Sequence, residues 1–223
     1  MKYLLTTLLL VISVSHCYSQ SPEDKLGSWY MLDANHRISD KFGIKTGGEF
    51  RTYEVFDNIN LLFYYAGVNY HLNTKASFSL VYGYLDIDKS YATSGQSHLY
   101  ENRIYEQFSY NHKTSFLPLN HRLRLEHRFM HFHHNHTTQH RLRYRLGTKI
   151  KLDNLFFINI RNEVFANLEG EVFTENRFYT ALGLNVSKSS NIQLGYLNHE
   201  ISKSNLHRLQ VGLFIKTDFR KEK

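Results

Sequence analysis

Residues 119–150 combine regularly spaced arginines with a group of histidines, two residue types suited to binding anions and metal ions. Arginine presents planar donors that fit carboxylate, sulfate or phosphate groups, and the imidazole nitrogen of histidine is a ligand for Zn²⁺, Cu²⁺ or Ni²⁺. The arginines occupy alternate positions on both sides of the histidines, at 122, 124 and 128 and again at 141, 143 and 145. This spacing predicts two β-strands joined by a turn, because a strand points successive side chains to opposite faces.

The other face of both predicted strands is apolar or aromatic. It carries Leu123, Leu125 and Phe129 in the first strand and Leu142, Tyr144 and Leu146 in the second. A soluble sandwich turns its polar face to bulk water, whereas long strands with arginine at alternate positions suit a barrel with lipid outside and a wet interior. The sequence therefore predicts a transmembrane β-barrel whose lumen is strongly charged.

A turn at residues 133–134 fixes which side chains face each other across the hairpin. It places Glu126 opposite Arg141, Arg124 opposite Arg143, and Arg122 opposite Arg145. Like charges in such pairs cost up to about 1 kcal/mol each, so we expect carboxylates from neighbouring strands to neutralise them. The predicted lumenal charge network comprises Arg122, Arg124, Glu126, Arg128, Arg141, Arg143, Arg145, Glu101, Arg103, Arg161, Glu163, Glu175 and Arg177. Two interpretations stay open: a structural network that fills the lumen, and a pore or pocket that selects anions.

Five histidines lie at the apex of the arginine hairpin: His131, His133, His134, His136 and His140. Two histidines two residues apart on one strand share a face, so His131 with His133, or His134 with His136, could ligate a metal ion. No carboxylate lies in the tip to complete the ligand set. We therefore predict an extracellular loop with incidental histidines, no metal site and no cofactor.

Residues 1–19 have the layout of a secretory signal peptide, with a basic start at Lys2 and an apolar stretch from 4 to 14. A lipoprotein alternative would acylate Cys17, but His16 stands where such sites have a small residue. Cleavage before Gln20 leaves a single domain, residues 20–223, without cysteine. Loss of Lys2 lowers the formal net charge from +7 to +6, and the bases lie along strand faces rather than in a tail.

The rest of the chain agrees with an all-β, antiparallel, up-and-down barrel of ten to twelve strands. No segment after the signal peptide approaches the ~18 apolar residues of a membrane helix, and a barrel strand shows lipid only alternate residues. Aromatic content is 15%, which suits the aromatic girdles of such barrels. The candidate strands are 28–38, 42–54, 60–72, 76–86, 99–112, the two arms of 119–150, 155–168, 174–187, 191–201 and 206–219.

The connections alternate between long and short, as in outer-membrane barrels with long extracellular loops and tight periplasmic turns. The longest, 87–98, is polar and is predicted to be extracellular. Eleven candidates conflict with the even strand number of single-chain bacterial barrels. Either a further strand near 20–27 makes twelve, or 28–38 lies outside the wall and leaves ten.

Two positions argue against this facing. If Glu101 faces the lumen, then Asn102 and Glu106 face lipid, where a carboxylate at mid-depth is costly. Asn162 poses the same problem among apolar neighbours. A bulge or a subunit interface would resolve either case.

Catalysis and nucleic-acid binding receive little support. The chain has no G-x-S-x-G motif, and Ser97 beside His98, or Ser204 near His207, are pairs that chance supplies among 14 histidines. No nucleic-acid recognition motif occurs. We therefore expect no enzyme and no nucleic-acid partner, with a barrel-embedded lipid hydrolase and a soluble lipocalin-like binder as the alternatives.

The chain resembles a family of uncharacterised bacterial proteins, domain of unknown function 2490, over nearly all of its mature length. The resemblance lies in seven segments: 27–30 (GSWY), 101–103 (ENR), 121–129 (HRLRLEHRF), 141–145 (RLRYR), 162–165 (NEVF), 176–179 (NRFY) and 195–196 (GY). It implies an outer-membrane β-barrel and brings no substrate or catalytic residue. The histidine-rich apex is not part of the family pattern.

The combined reading is a protein of the bacterial outer membrane. Its expected role is that of a narrow, anion-leaning channel or a structural barrel with an arginine and glutamate lumen. The expected partners are outer-membrane lipid, lipopolysaccharide and small anions.

Overall fold

The computed structural model describes residues 25–89, 98–201 and 204–220. The predicted signal peptide, with Cys17, lies outside the described residues, as do residues 90–97 of the predicted long loop. Within the described ranges, no helix has the length and apolar character needed to cross a membrane.

The described residues form eleven β-strands, which confirms the predicted all-β class and the range of ten to twelve strands. The bounds predicted outside the arginine hairpin agree with the structure to within two residues. The strands are β1 Gly27–Arg37, β2 Phe42–Thr52, β3 Ile59–His71, β4 Ala76–Ile87, β5 Leu99–Lys113, β6 Pro118–Phe132, β7 Asn135–Lys151, β8 Phe156–Asn167, β9 Phe173–Asn185, β10 Ser190–Ile201 and β11 Ser204–Asp218.

The strands close into a barrel in which each pairs with its neighbours in sequence and β1 pairs with β11. That closing pair is parallel and runs in register from Gly27 opposite Arg208 to Arg37 opposite Asp218. An odd strand number requires this, because the first and last strands then cross the barrel in the same direction. Both predicted routes to an even number are therefore wrong: β1 belongs to the wall, and it bonds to β11 directly.

Side chains alternate between a buried interior face and an exposed outer face. In β5, Glu101, Arg103 and Tyr105 are buried, whereas Tyr100 and Ile104 are exposed. Large apolar side chains occupy the outer face around the barrel, among them Tyr64, Leu80, Tyr82, Leu123, Phe178, Leu182 and Leu194. The period of two seen in the sequence therefore separates an apolar outer surface from a polar interior.

The apolar part of the interior explains why residues 60–72 are apolar on both faces. Leu61, Phe63 and Tyr65 of β3 point inward, where they pack with Val81 and Tyr105 from β4 and β5. Their neighbours in sequence, including Tyr64 and Val68, are exposed on the outside. A second buried cluster contains Trp29, Tyr179, Ala181 and Leu197. These clusters fill parts of the barrel interior between the charged side chains.

The two ends of the barrel differ in their connections. At one end, which we call the turn end, residues 38–41, 72–75, 114–117, 152–155 and 186–189 form short turns. Side-chain oxygens cap them: Ser39 Oγ accepts from the Phe42 amide at 2.9 Å, and Asn73 Oδ1 from the Ala76 amide at 2.8 Å.

At the opposite end, the loop end, β2, β4, β6, β8 and β10 finish and the next strands begin. Its fully described connections are 53–58, 133–134 and 168–172. The connection between β6 and β7 is only the pair His133 and His134, with His133 in the left-handed region at φ 53°. Connection length therefore does not alternate throughout, because the arginine hairpin continues as regular strand almost to its tip.

Candidate functional site

The β6–β7 hairpin places its charged side chains on the interior face, and its strands of 15 and 17 residues carry them over much of the barrel length. Its register is the one predicted from a turn at residues 133–134. Glu126 lies opposite Arg141, Arg124 opposite Arg143, and Arg122 opposite Arg145. The hairpin thus concentrates positive charge that carboxylates must offset.

Glu126 is the central carboxylate, and its side chain is 0% exposed. Arg141 donates to Oε2 from Nε at 3.0 Å and from Nη2 at 2.7 Å. Arg143 Nη1 donates to Oε1 at 2.5 Å. Arg124 Nη1 and Arg103 Nη1 lie 3.4 Å and 3.7 Å from the same oxygen. One carboxylate therefore serves four guanidinium groups from three strands.

Glu101 of β5 is the second fully buried carboxylate, with a side chain 0% exposed. It accepts from Arg103 Nε at 2.6 Å and from Arg128 Nη2 at 2.8 Å. Since Arg103 also approaches Glu126, it bridges the two carboxylates.

Two glutamates of β8 and β9 extend the ion pairs around the wall. Glu163 Oε1 accepts from Arg122 Nη2 at 2.5 Å and from Arg143 Nε at 2.9 Å. Glu175 Oε2 accepts from Arg141 Nη1 at 3.2 Å. Both are joined to Glu126 through an arginine that they share with it, so these ion pairs form one connected set.

Glu175 also contacts Arg177 and His199. His199 Nε2 lies 2.6 Å from Glu175 Oε1, and its ring packs edge-on against Trp29 at 5.4 Å. Sequence reasoning missed His199. The signal available in the sequence was its position two residues after Leu197, which places both side chains on the same face of β10.

Aromatic rings pack against the flat faces of interior guanidinium groups. Arg124 lies over the Tyr105 ring at 4.0 Å, and Arg161 lies over the Tyr179 ring at 4.0 Å. Such stacking is favourable for a delocalised cation with a weakly hydrated face. The interior thus holds its arginines through both carboxylates and aromatic rings.

The thirteen predicted network residues fall into two groups. Ten ion pairs connect eleven of them, which we call the ion-pair network: Glu101, Arg103, Arg122, Arg124, Glu126, Arg128, Arg141, Arg143, Glu163, Glu175 and Arg177. The remaining two, Arg145 and Arg161, make no ion pair with any described residue; their side chains contact neutral groups.

Two cavities in the barrel interior are lined by described residues. One, of about 500 Å³, lies toward the loop end and is lined by much of the ion-pair network. The other, of about 670 Å³, lies toward the turn end and is lined mainly by uncharged polar and basic side chains. Six side chains border both cavities: Asp33, Lys45, Arg122, Arg145, Arg161 and Phe214. We call these six the shared layer.

Positive charge exceeds negative charge in the turn-end cavity. Among the described residues its lining includes two carboxylates, Asp33 and Asp218, against seven cationic side chains. Asp33 is already paired with Lys45 at 2.5 Å. The seven are Arg37, Lys45, Arg122, Arg145, Lys149, Arg161 and Lys216.

The apex histidines pair differently from the prediction. His131 Nδ1 lies 3.1 Å from His136 Nδ1, and His127 Nδ1 lies 2.8 Å from His140 Nδ1. Both pairs join β6 to β7, whereas the predicted pairs lay within one strand. In the described part of the chain, no three metal-ligating side chains converge on a common point.

The outward polar residues that opposed the predicted facing have partners across the sheet. No register shift interrupts β5, so of the two resolutions considered, a bulge does not account for Asn102 and Glu106. Tyr82 donates to Asn102 Oδ1 at 2.5 Å, His127 Nε2 lies 3.1 Å from Glu106 Oε2, and Asn162 donates to Asn176 Oδ1 at 3.0 Å. Hydrogen bonding therefore lowers the cost of placing these polar groups on an apolar outer face.

The histidines of the two serine and histidine pairs considered for catalysis contact an aspartate and a tyrosine. Ser97 lies outside the described residues, and its neighbour His98 contacts Asp86 at 2.6 Å. His207 contacts the Tyr196 hydroxyl.

Comparison with known proteins identifies one family. The model for a protein of unknown function (DUF2490) matches residues 26–210, which confirms the resemblance seen in the sequence. The matched range contains β1 to β10 and the start of β11. No curated protein and no solved structure matches the chain significantly.

Proposed function

We propose that this chain, which belongs to the DUF2490 family, is a bacterial outer-membrane barrel with a narrow interior that favours anions. The division of side chains between the two faces of the wall carries the proposal. In β7, Arg141 and Arg143 are 8% and 6% exposed, whereas Tyr144 and Leu146 are each 40% exposed. A wall that turns arginine inward and leucine or tyrosine outward has the polarity of a lipid-embedded barrel.

The strand lengths support a membrane position. The strands have 11 to 17 residues, and a tilted transmembrane strand needs about 9–11. The tight turns of the turn end suit the periplasmic side, as in other outer-membrane barrels. In this placement the outer wall contacts outer-membrane lipid and lipopolysaccharide.

The preference for anions follows from the turn-end cavity. Seven cations against two carboxylates produce a positive potential, which raises the local concentration of anions. Ions passing between the ends would meet the shared layer, with Arg122, Arg145 and Arg161, before the ion-pair network. We propose no catalytic activity for the chain.

A structural barrel without conduction is the second candidate. The ion-pair network favours it, because Glu101 and Glu126 are fully buried among arginines of β5, β6 and β7. Ion pairs packed this closely could fill the loop-end half of the interior, as side chains do in small barrels.

Planar-bilayer recording under a potassium chloride gradient separates the two candidates. We expect the reversal potential to have the sign that indicates a preference for chloride over potassium. Arg37→Gln and Lys216→Gln each remove a cation from the turn-end cavity, so we expect them to shift the reversal potential toward zero. Lys188→Gln, in the exposed turn after β9, is the matched control and should change nothing.

Folding and location need separate checks in the same preparation. Heat-modifiable gel migration identifies the folded barrel, and its recovery from the outer-membrane fraction tests the location. Folded protein without conductance would favour the structural barrel. Recovery in the aqueous fraction would reject the membrane role.

A further inference from the structure

The shared layer contains three guanidinium groups, those of Arg122, Arg145 and Arg161. They carry three positive charges, and among the described residues only Arg122 pairs with a carboxylate. Arg145 Nη2 donates to Asn120 Oδ1 at 3.1 Å, and Arg161 Nη2 donates to Gln210 Oε1 at 3.1 Å. Both acceptors are neutral amides. Among the described residues, neither guanidinium forms an ion pair.

Arg122 does not remove this excess. Its Nη2 pairs with Glu163, but Glu163 is shared with Arg143 of the ion-pair network. Its Nε is buried and has no hydrogen-bond partner among the described residues. A buried donor without a partner costs about 1–3 kcal/mol, so the layer has unused capacity to donate to an anion.

The register brings the three side chains together. Arg122 lies directly opposite Arg145. On the other side of β7, Arg145 lies opposite Glu163 and Gly147 lies opposite Arg161, so Arg161 is diagonal to Arg145. The Cβ atoms of directly opposite residues are roughly 5 Å apart, and diagonal neighbours are about 7–8 Å apart. Gly147 keeps the space open, since a Cβ there would lie 3.3 Å from Arg161 Cβ.

We propose that the shared layer binds a small dianionic oxyanion, such as inorganic phosphate or a phosphate monoester. One dianion neutralises the two guanidinium charges that lack a carboxylate, and its oxygens accept from planar arginine donors in the geometry that arginine favours. Chloride supplies half the charge and no oriented acceptors. This inference rests on the proposed anion-favouring interior and names the class of anion that the interior selects.

Isothermal titration calorimetry of the folded barrel in neutral detergent tests the site at constant ionic strength. We expect inorganic phosphate to bind, and Arg145→Gln and Arg161→Gln each to weaken binding at least tenfold. Arg145→Lys keeps the charge but not the planar donors, so we expect an intermediate loss. Lys188→Gln removes an exposed charge outside the cavities and should leave the affinity unchanged.

A second titration with glycerol phosphate identifies the form of the ligand. Comparable binding of both compounds would show that the layer recognises the phosphate group itself. Binding of the monoester alone would narrow the site to organic phosphates. Binding of neither, or equal weakening by Lys188→Gln and Arg145→Gln, would overturn the site.

Thermal unfolding keeps the test decisive where a variant binds poorly because it folds poorly. Phosphate should raise the unfolding temperature of the wild-type barrel and leave that of Arg145→Gln unchanged, while both show heat-modifiable migration. An equal rise in both proteins would argue against the layer.

Conductance separates this inference from the proposed channel. Phosphate binding without conductance would support the site and reject the channel. Chloride conductance that phosphate does not reduce, with no calorimetric binding, would support the channel and reject the site.

Discussion

Replacement of Glu126 by glutamine is expected to destabilise the barrel more than any exposed charge change. Glu126 is fully buried and lies within 4 Å of guanidinium groups of Arg103, Arg124, Arg141 and Arg143. Glutamine keeps the shape and one acceptor oxygen, but it removes the charge and points an NH₂ donor at other donors. Four buried cations would then lose their shared counter-charge.

The magnitude follows from the partners that remain. Breaking a buried ion pair by removing one member costs about 3–5 kcal/mol. Arg141 would retain Glu175, Arg143 would retain Glu163, and these contacts limit the loss. We therefore expect the free energy of unfolding to fall by about 3 kcal/mol, at the lower end of that range.

Urea unfolding in lipid vesicles measures this change, since urea adds no ions that would screen the network. The only tryptophan of the chain, Trp29, reports on the interior because its ring packs 3.7 Å from the Arg51 guanidinium. Glu169→Gln, in the exposed loop after β8, is the control and should shift stability by less than about 0.5 kcal/mol. A loss for Glu126→Gln as small as that of the control would show that water already screens the network, and the reasoning would fail.

Three further predictions concern the wall and its ends. Glu106→Gln removes a carboxylate from the outer face and should raise the free energy of unfolding in lipid vesicles by about 1 kcal/mol; a decrease would place this face against something other than lipid. Gly183→Ala should cost about 1–3 kcal/mol in the same assay, because its Cβ would lie 2.0 Å from the buried Phe157 ring; unchanged stability would contradict that packing. Epitope tags placed before Lys25 and after Arg220 should be accessible on opposite sides of the membrane, as antibody labelling of intact and permeabilised cells would show; labelling on one side only would contradict the parallel β1–β11 pair.

The register of the arginine hairpin was predictable because alternation leaves little freedom. A shift by one residue would turn Arg124 outward and Leu125 inward, so burial of one face fixes the pairing. The same reasoning located the remaining strands to within two residues. Local periodicity thus determined the elements and their facing.

The parallel closure and the cross-strand pairs were not predictable in the same way. Nothing in the β1 sequence distinguishes a parallel from an antiparallel neighbour, and the expectation of an even strand number came from other barrels. The pairing of Asn162 with Asn176, or of His127 with His140, depends on the register between strands. Such contacts become visible only once the strands are aligned.

The charge distribution along the barrel axis has a physical consequence for any ion that enters. Glu49, Glu101, Glu163 and Glu175 lie in the halves of their strands nearest the loop end, whereas Arg37, Lys149 and Lys216 line the turn-end cavity. An anion entering at the turn end would meet falling electrostatic energy as far as the shared layer, and beyond it arginines whose charge carboxylates already offset. In the proposed anion-favouring barrel, the strongest attraction for an anion would therefore lie in the middle, where Arg145 and Arg161 have neutral hydrogen-bond partners. Tight binding there would slow the passage of the same anion.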